Sequence, residues 1–197
     1  KVSIISDSSV TSNVLFCLLV GLYDDNEGTI AIDGIPLKNL NKSKLRENVG
    51  TLLKQDQLIF SSLSDNIAMG RKDISLDAIV DIVRNLGLND FVDACPENYE
   101  TMLNPEGHYI PKDIMTKLII ARAMVGKPRL LLMEDPTSGL NKIQRLNLMN
   151  YLNSIQHVTM LMASHDEEIH KLSDRIIQIE QGKVIFDGTY QSYTKQA

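Results

Sequence analysis

The residues best suited to chemistry are two carboxylates and a histidine that follow apolar segments. Residues 129–141, RLLLMEDPTSGLN, have the pattern of a buried strand that ends in Glu134 and Asp135. Another apolar segment, residues 158–164, is followed by His165. Open α/β sheets bind ligands beyond the carboxyl ends of their strands, so these side chains are placed to handle a metal ion, a water molecule or a phosphate. Acidic residues after a strand also often just begin a turn, and the pair alone leaves both interpretations open.

A tract of hydroxyl side chains follows the first apolar segment. Residues 2–14, VSIISDSSVTSNV, have the layout of a strand, a tight loop and the start of a helix. Nucleotide-binding proteins hold phosphate in such loops, yet residues 6–13 contain neither glycine nor lysine. The tract is therefore either a phosphate site that has lost its chemistry or an ordinary turn in which Ser12 or Asn13 caps the helix.

Strand and helix patterns alternate along both ends of the chain. The predicted strands are residues 2–6, 29–33, 49–53, 129–134, 158–164, 175–180 and 183–188. The predicted helices are residues 13–22, 75–86, 111–125, 141–155 and about 189–195. Several of the strands lack polar alternation, which indicates that both of their faces are covered. The pattern predicts an α/β fold with a mainly parallel sheet and an inserted helical part.

Composition excludes some broad classes of function. The net charge is -5 and no basic cluster offsets it, which argues against a nucleic-acid partner. The longest apolar stretch, residues 14–23, is too short to cross a bilayer. The two cysteines do not form a metal-binding pair, and we expect Cys17 to be a buried thiol because it lies in this apolar stretch.

Four longer segments occur together in an order that is specific to one family. They are LVGLYDDNEGTIAIDGIPLKNL (19–40), LRENVGTLLKQDQLIFSSLSDNIAMG (45–70), IIARAMVGKPRLLLMEDPTSGLN (119–141) and ASHDEEIHKLSDRIIQIEQGKVIFDGTY (163–190). With them the chain resembles the nucleotide-binding domain of an ABC (ATP-binding cassette) transporter, and it is most similar to the exporter type. The resemblance extends from residue 2 to about residue 193.

The resemblance implies a fold and a division of the chain. The fold would be a P-loop NTPase of the ABC type, an α/β ATPase core with a mainly parallel sheet and an inserted α-helical subdomain. Residues 1–67 and 126–197 would form the core, and residues 68–125 would form the helical subdomain that carries the signature motif. The family's amino-terminal β-subdomain would precede Lys1, and we expect the chain to be part of a longer polypeptide.

By this resemblance the hydroxyl-rich tract lies at the family's P-loop, G-x-x-x-x-G-K-[ST]. Ser6 and Thr11 stand at its glycine positions, Ser12 at the lysine and Asn13 at the hydroxyl that binds Mg²⁺. The implied ATP-binding positions are Ser6, Ser9, Thr11, Ser12, Asn13 and Val14. Glycines let backbone N–H groups surround a phosphate, and the lysine contacts the β- and γ-phosphates. Their loss predicts a degenerate P-loop with weak ATP binding.

The other implied site residues are partly retained. Gln55 matches the glutamine of the Q-loop, His165 the switch histidine, and the family's Asp-Glu pair appears in the reversed order as Glu134-Asp135. The resemblance therefore implies catalytic roles for Asp135, His165 and Gln55, and a Mg²⁺ set of Asn13, Gln55 and Glu134. Asp135 is one methylene shorter than the family's base, which predicts poor reach to the attacking water.

The signature motif also departs from the family. Where the family has L-S-G-G-Q, the aligned residues 110–114 read IPKDI. Pro111 has neither a hydroxyl nor an N–H to offer to a phosphate, and Asp113 would bring negative charge towards it. Lys112 would compensate in part.

Three functions remain open from the sequence. We favour a degenerate nucleotide-binding domain of an exporter-like transporter, with weak ATP and Mg²⁺ binding. The alternatives are an active ATP-hydrolysing motor domain and a structural or interaction module unrelated to transport. The resemblance implies a location on the cytoplasmic side of a membrane. The partners would be membrane-spanning domains and a second nucleotide-binding domain, in a homodimer or a heterodimer.

Overall fold

A six-stranded sheet organises the part of the chain that the computed structural model describes, residues 1–23, 27–104 and 110–195. The strands are β1 (Val2–Ser6), β2 (Ala31–Ile32), β3 (Ile35–Pro36), β4 (Val49–Leu52), β5 (Ser61–Ser62), β6 (Met102–Leu103), β7 (Leu130–Glu134), β8 (Thr159–Ala163), β9 (Arg175–Glu180) and β10 (Lys183–Gly188). The large sheet has the order β10-β9-β1-β8-β7-β4, and only β10 runs antiparallel to its neighbour. The short strands pair as β2-β3 and β5-β6.

Helices cover the sheet and form most of the inserted part. They are α1 (Ser9–Leu19), α2 (Lys42–Glu47), α3 (Leu63–Ala68), α4 (Leu76–Asn85), α5 (Asn89–Ala94), α6 (Lys112–Met124), α7 (Lys142–Ser154), α8 (Glu167–Leu172) and α9 (Tyr190–Tyr193). Two 3-10 turns occur at Leu37–Asn39 and Asn98–Glu100. None of the helices within the described ranges is long and apolar enough to span a bilayer.

The two faces of the sheet carry separate apolar clusters, as the lack of polar alternation predicted. On one face, Leu132 of β7 packs with Ile4 of β1 and with Phe16 of α1. On the other, Leu131 and Met133 of β7 join a larger cluster that includes α3, α4 and α6. Neighbouring residues of one strand thus point to opposite sides, as alternation along a strand requires. Because β4, β7, β8, β1 and β9 run parallel to one another, their carboxyl ends lie at the same edge of the sheet.

Helix α6 lies directly against the edge strand β4. A Cβ on Gly50 would lie 2.0 Å from the carbonyl oxygen of Ala123, so this position accepts only glycine. The helical part and the sheet consequently share one core. The proposed division at residues 68 and 125 stays a prediction, and residues 105–109 of the helical part lie outside the described residues.

Most predicted strands and helices occur within a few residues of their expected bounds, but the start of α1 was wrong. The helix begins at Ser9 and not at residue 13, because Ser8 is its N-cap and accepts a hydrogen bond from the backbone N–H of Val10. Ser12 and Asn13 lie inside the helix and do not cap it. The short helices α2, α3, α5 and α8 were missed, because six residues are too few to show a helical period.

Candidate functional site

The site lies where four neighbouring parallel strands end. Strands β4, β7, β8 and β1 are adjacent in the sheet, and the segments that follow them carry Gln55, Asp135, His165 and the hydroxyl-rich tract. Glu134 is the last residue of β7. The topology therefore brings together every segment that the sequence predicted to contribute to the site, as expected for open α/β sheets.

The hydroxyl-rich tract is a hydrogen-bonded helix start. The N–H of Asp7 donates to the carbonyl of Ile179 at 3.3 Å, and the N–H of Thr11 donates to the carbonyl of Ser8 at 3.1 Å. The N–H of Val10 is bonded to the Ser8 hydroxyl. No residue from 6 to 13 has a positive φ. Residues 9–13 take ordinary helical geometry, and three backbone amides of the tract are bonded within the protein.

The predicted ATP-binding side chains take different positions within the tract. Ser6 is buried and its hydroxyl donates to the carbonyl of Ser8 at 2.9 Å. A small cavity of about 40 Å³ is lined by Ser6, Ser9 and Ser12, whereas Thr11 and Val14 do not line it. Val14 is exposed on the outer side of the helix. Their roles in ATP binding stay predictions.

Glu134 is the centre of a buried network that ties the site together. Its side chain is only 8% exposed. It accepts hydrogen bonds from the Ser12 hydroxyl at 3.2 Å, the Asn13 amide at 3.0 Å and the backbone N–H of Lys54 at 2.8 Å. One carboxylate thus joins the end of β7 to helix α1 and to the segment that follows β4.

The three residues expected to hold Mg²⁺ lie together but are arranged for hydrogen bonding. The Asn13 Nδ2 atom donates to Gln55 Oε1 at 2.8 Å and to Glu134 Oε2 at 3.0 Å. Mg²⁺ requires oxygen ligands at about 2.0–2.1 Å in an octahedron. Here an amide nitrogen lies between the two oxygens, so these side chains as arranged do not fit the ion.

Asp135 and His165 both line the same cavity as Ser6, Ser9 and Ser12. Asp135 has φ 43°, a left-handed conformation that aspartate tolerates better than most residues. Its backbone N–H donates to the carbonyl of Ala163, while the exposed carboxylate has no hydrogen-bond partner among the described residues. The carboxylate of Asp135 is therefore free, unlike that of Glu134, and its role as a base stays a prediction.

Lys54 is a site residue that the sequence analysis missed. Its Nζ atom lies 3.3 Å from the Ser9 hydroxyl, and its side chain lines the same cavity. It comes from the segment beside Gln55 and not from the tract, so the P-loop pattern could not reveal it. The available signal was the lysine that directly precedes Gln55.

The signature segment is turned partly towards its own chain. Pro111 is the N-cap of α6 and provides no side-chain hydrogen bond. The Asp113 carboxylate accepts a 2.6 Å hydrogen bond from the side chain of Gln144 in α7. The expected approach of this charge to a phosphate is thus reduced by an internal bond. Lys112 packs its stem against Gly139, whose φ of 79° and missing Cβ leave room for it.

The segment after Gln55 exposes two apolar side chains on a firmly held loop. Ile59 is 42% exposed and Phe60 is 70% exposed. The buried amide of Asn66 bonds both the N–H and the carbonyl of Ile59. Arg122 of α6 adds hydrogen bonds to the carbonyls of Gln57 and Asn66. Leu58, which directly precedes them, is by contrast only 3% exposed and belongs to the core.

Comparison with known proteins identifies the family. A family model described as ABC transporter matches residues 13–138, which is more than half of the chain. The chain belongs to the ABC transporter family. The matched range begins at Asn13 and so leaves out residues 6–12, the part of the P-loop without glycine and lysine.

Individual ABC proteins resemble the chain over nearly all of its length. "ABC transporter B family member 2" of Dictyostelium discoideum is 27% identical over 190 residues, covering 96% of this chain and 14% of that protein. "Leukotoxin export ATP-binding protein LtxB" of Aggregatibacter actinomycetemcomitans is 28% identical over 195 residues, covering 98% and 28%. A bacterial Atm1-family ABC exporter solved with ATP bound shares the fold, with a TM-score of 0.92 at 24% identity over all of this chain and 34% of that one. The chain therefore spans about a third or less of these relatives.

Proposed function

We propose that the chain is the nucleotide-binding domain of an ABC exporter-like transporter in which ATP binding is weak and hydrolysis is impaired. Its partners would be the membrane-spanning domains and a second nucleotide-binding domain, on the cytoplasmic side of the membrane. The family membership and the names of the export relatives support the first part of this proposal. The second part rests on the geometry of residues 6–13.

The observation that carries the proposal is the internal bonding of the P-loop amides. A phosphate bound at this loop needs free backbone N–H groups, and those of Asp7, Val10 and Thr11 already have partners. Ser12 replaces the lysine, and its hydroxyl donates to Glu134. A hydrogen bond to a charged group is worth about 1.5–3 kcal/mol, so loss of the lysine alone lowers affinity about 10–100-fold.

The signature segment supports impairment of the second composite site. In this family an ATP molecule lies between the P-loop of one domain and the signature of the other. Pro111 cannot donate a hydrogen bond to a γ-phosphate held by a partner, and Asp113 faces Gln144 of its own chain. The chain would then serve mainly as a platform for a partner that binds ATP itself.

The exposed pair Ile59 and Phe60 supports docking to a membrane-spanning domain. Large exposed apolar side chains on a well-held loop are typical of a protein contact surface. They lie only four and five residues after Gln55 in the chain. A movement of Gln55 at the nucleotide site would therefore shift a helix that packs on them. Replacing Phe60 by aspartate should prevent co-purification with the membrane-spanning part and leave the fold unchanged.

A second candidate function, an active ATP-hydrolysing motor domain, is favoured by one observation. Lys54 brings a positive charge to the cavity that also contains Asp135 and His165. If this lysine replaced the missing one fully, ATP would bind tightly. The internally bonded amides argue against full replacement.

The test removes the P-loop lysine of the second nucleotide-binding domain in the assembled transporter. Where that domain is a different chain, ATP-dependent transport should be lost, because the remaining P-loop is the one in this chain. A matched variant, Ser12→Ala in this chain, should leave transport within about 2-fold of its original rate. Transport that survives loss of the partner's lysine would show that this chain binds and hydrolyses ATP, and the proposal would be wrong.

A further inference from the structure

The side chain of Asn13 takes part in three hydrogen bonds, two as a donor and one as an acceptor. An amide NH₂ has two protons, and here one points to Gln55 Oε1 and the other to Glu134 Oε2. The amide oxygen accepts a bond from the Cys17 thiol, with 3.7 Å between sulfur and oxygen. Both protons of the NH₂ group are therefore engaged, and its nitrogen has no lone pair with which to bind a cation.

The environment determines the orientation of this amide. The opposite orientation would place Asn13 Oδ1 against the Glu134 carboxylate, which can only accept, and would turn the NH₂ towards the thiol. The Cys17 thiol donates to Oδ1 in the observed orientation, with 3.7 Å between the two atoms.

The same two oxygens are the ones that a metal would need. By family resemblance Gln55 and the residue at position 134 belong to the Mg²⁺ environment, and in this chain the NH₂ group of Asn13 joins them at hydrogen-bonding distance. We infer that the Asn13 amide takes the place of the metal ion, so that this site excludes Mg²⁺ and any nucleotide binds without it. Only the statement that nucleotide binds without Mg²⁺ rests on the proposed function. Exclusion of the ion is a property of these side chains alone.

The hydrogen bonds of Asn13 favour keeping its amide in place over replacing it by Mg²⁺. Entry of the ion would break the bonds from Asn13 to Gln55 and Glu134 and would force the amide to turn against the Cys17 thiol. Mg²⁺ also gives up its own water reluctantly, and a neutral amide oxygen returns less than a carboxylate would. A carboxylate or hydroxyl at position 13 would remove the NH₂ group from between the oxygens of Gln55 and Glu134 and would supply an oxygen ligand.

The test measures Mn²⁺ as a probe for Mg²⁺, by the electron paramagnetic resonance signal of the free ion, in the absence of nucleotide. The original protein should bind no Mn²⁺ at this site in the micromolar range. Asn13→Asp should gain Mn²⁺ affinity by about 10-fold or more, and Asn13→Ser, which restores the family's hydroxyl, serves if the aspartate variant does not fold. Asn147→Asp makes the same amide-to-carboxylate change on the exposed face of α7 and should gain nothing.

A second measurement separates this inference from the proposed function. The dissociation constant of ATP should be the same within about 2-fold in the presence of Mg²⁺ and of EDTA, whatever its absolute value. Mn²⁺ binding by the original protein that is lost on Glu134→Gln would overturn the inference, and so would position-13 variants that bind no better than Asn147→Asp. Tight ATP binding that is independent of metal would contradict the proposed weak affinity and leave this inference standing.

Discussion

Changing Glu134 to glutamine should destabilise the fold, whereas changing Asp135 to asparagine should not. Both substitutions replace a carboxylate by its amide with almost no change in size. Glu134 is 8% exposed and accepts three hydrogen bonds, while the exposed carboxylate of Asp135 accepts none from the described residues. The adjacent pair therefore forms a matched comparison of a structural carboxylate and a free one.

The expected loss of stability in Glu134→Gln follows from the hydrogen bonds whose acceptor changes from a charged carboxylate to a neutral amide. A hydrogen bond to a charged group is worth about 1.5–3 kcal/mol and a neutral one about 0.5–1.5 kcal/mol, a difference of about 1 kcal/mol per bond. In Glu134→Gln the amide oxygen can still accept from Lys54 N–H and Asn13, and the Ser12 hydroxyl can turn to accept from the new NH₂. All three bonds become neutral, which predicts a loss of about 3 kcal/mol in the free energy of unfolding.

Urea unfolding followed by circular dichroism measures this difference. With a urea m-value of about 2 kcal/mol/M, the midpoint should fall by about 1.5 M urea for Glu134→Gln and by less than about 0.3 M for Asp135→Asn. Equal midpoints for the two variants would refute the assignment of Glu134 as the structural centre of the site. A larger effect at Asp135 would show that its free carboxylate has an unrecognised partner.

Two further predictions concern a lysine and a histidine. Lys54→Ala should weaken the residual affinity for ATP about 10-fold in calorimetric titration, because it removes a lysine that lines the cavity. The exposed Lys72→Ala should change this affinity less than about 2-fold, and equal effects of the two variants would exclude Lys54 from the site. Burial lowers the pKa of His170, whose Nδ1 atom lies 2.8 Å from the buried Ser3 hydroxyl, and the neighbouring His165 adds to the shift. Its neutral form therefore stabilises the fold above the unfolded pKa of about 6.5, and this stability is lost as the pH falls through the lower, folded value. Urea unfolding at pH 7.5 and pH 5.5 should show a smaller loss on acidification for His170→Gln than for the original chain, and equal losses would contradict this.

The mainly parallel sheet could be predicted because strands that are covered on both faces have apolar segments without polar alternation. Uninterrupted apolar segments such as residues 130–133 and 159–163 require cover on both faces, and both were found as strands. The start of α1 could not be predicted in the same way, since Ser8, Ser9 and Ser12 are all acceptable N-caps. The choice of Ser8 depends on the hydrogen bond that it accepts from Val10.

The membership of the site was also easier to predict than its bonding. Asn13, Gln55 and Glu134 were expected together because the family resemblance implied that they share a Mg²⁺ ion. That the Asn13 amide donates to the other two depends on side-chain distances, which no sequence pattern contains. The contribution of Lys54 to the site was not predicted for a related reason, because its contact with Ser9 joins residues 45 positions apart in the chain.

Calorimetric titration of the purified protein with ATP and Mg²⁺ tests the central claim most directly. Internally bonded P-loop amides and the missing lysine predict a dissociation constant of about 1 mM or weaker. A dissociation constant in the micromolar range would show that residues 6–13 bind phosphate despite their composition, and the account of a degenerate nucleotide site would be wrong.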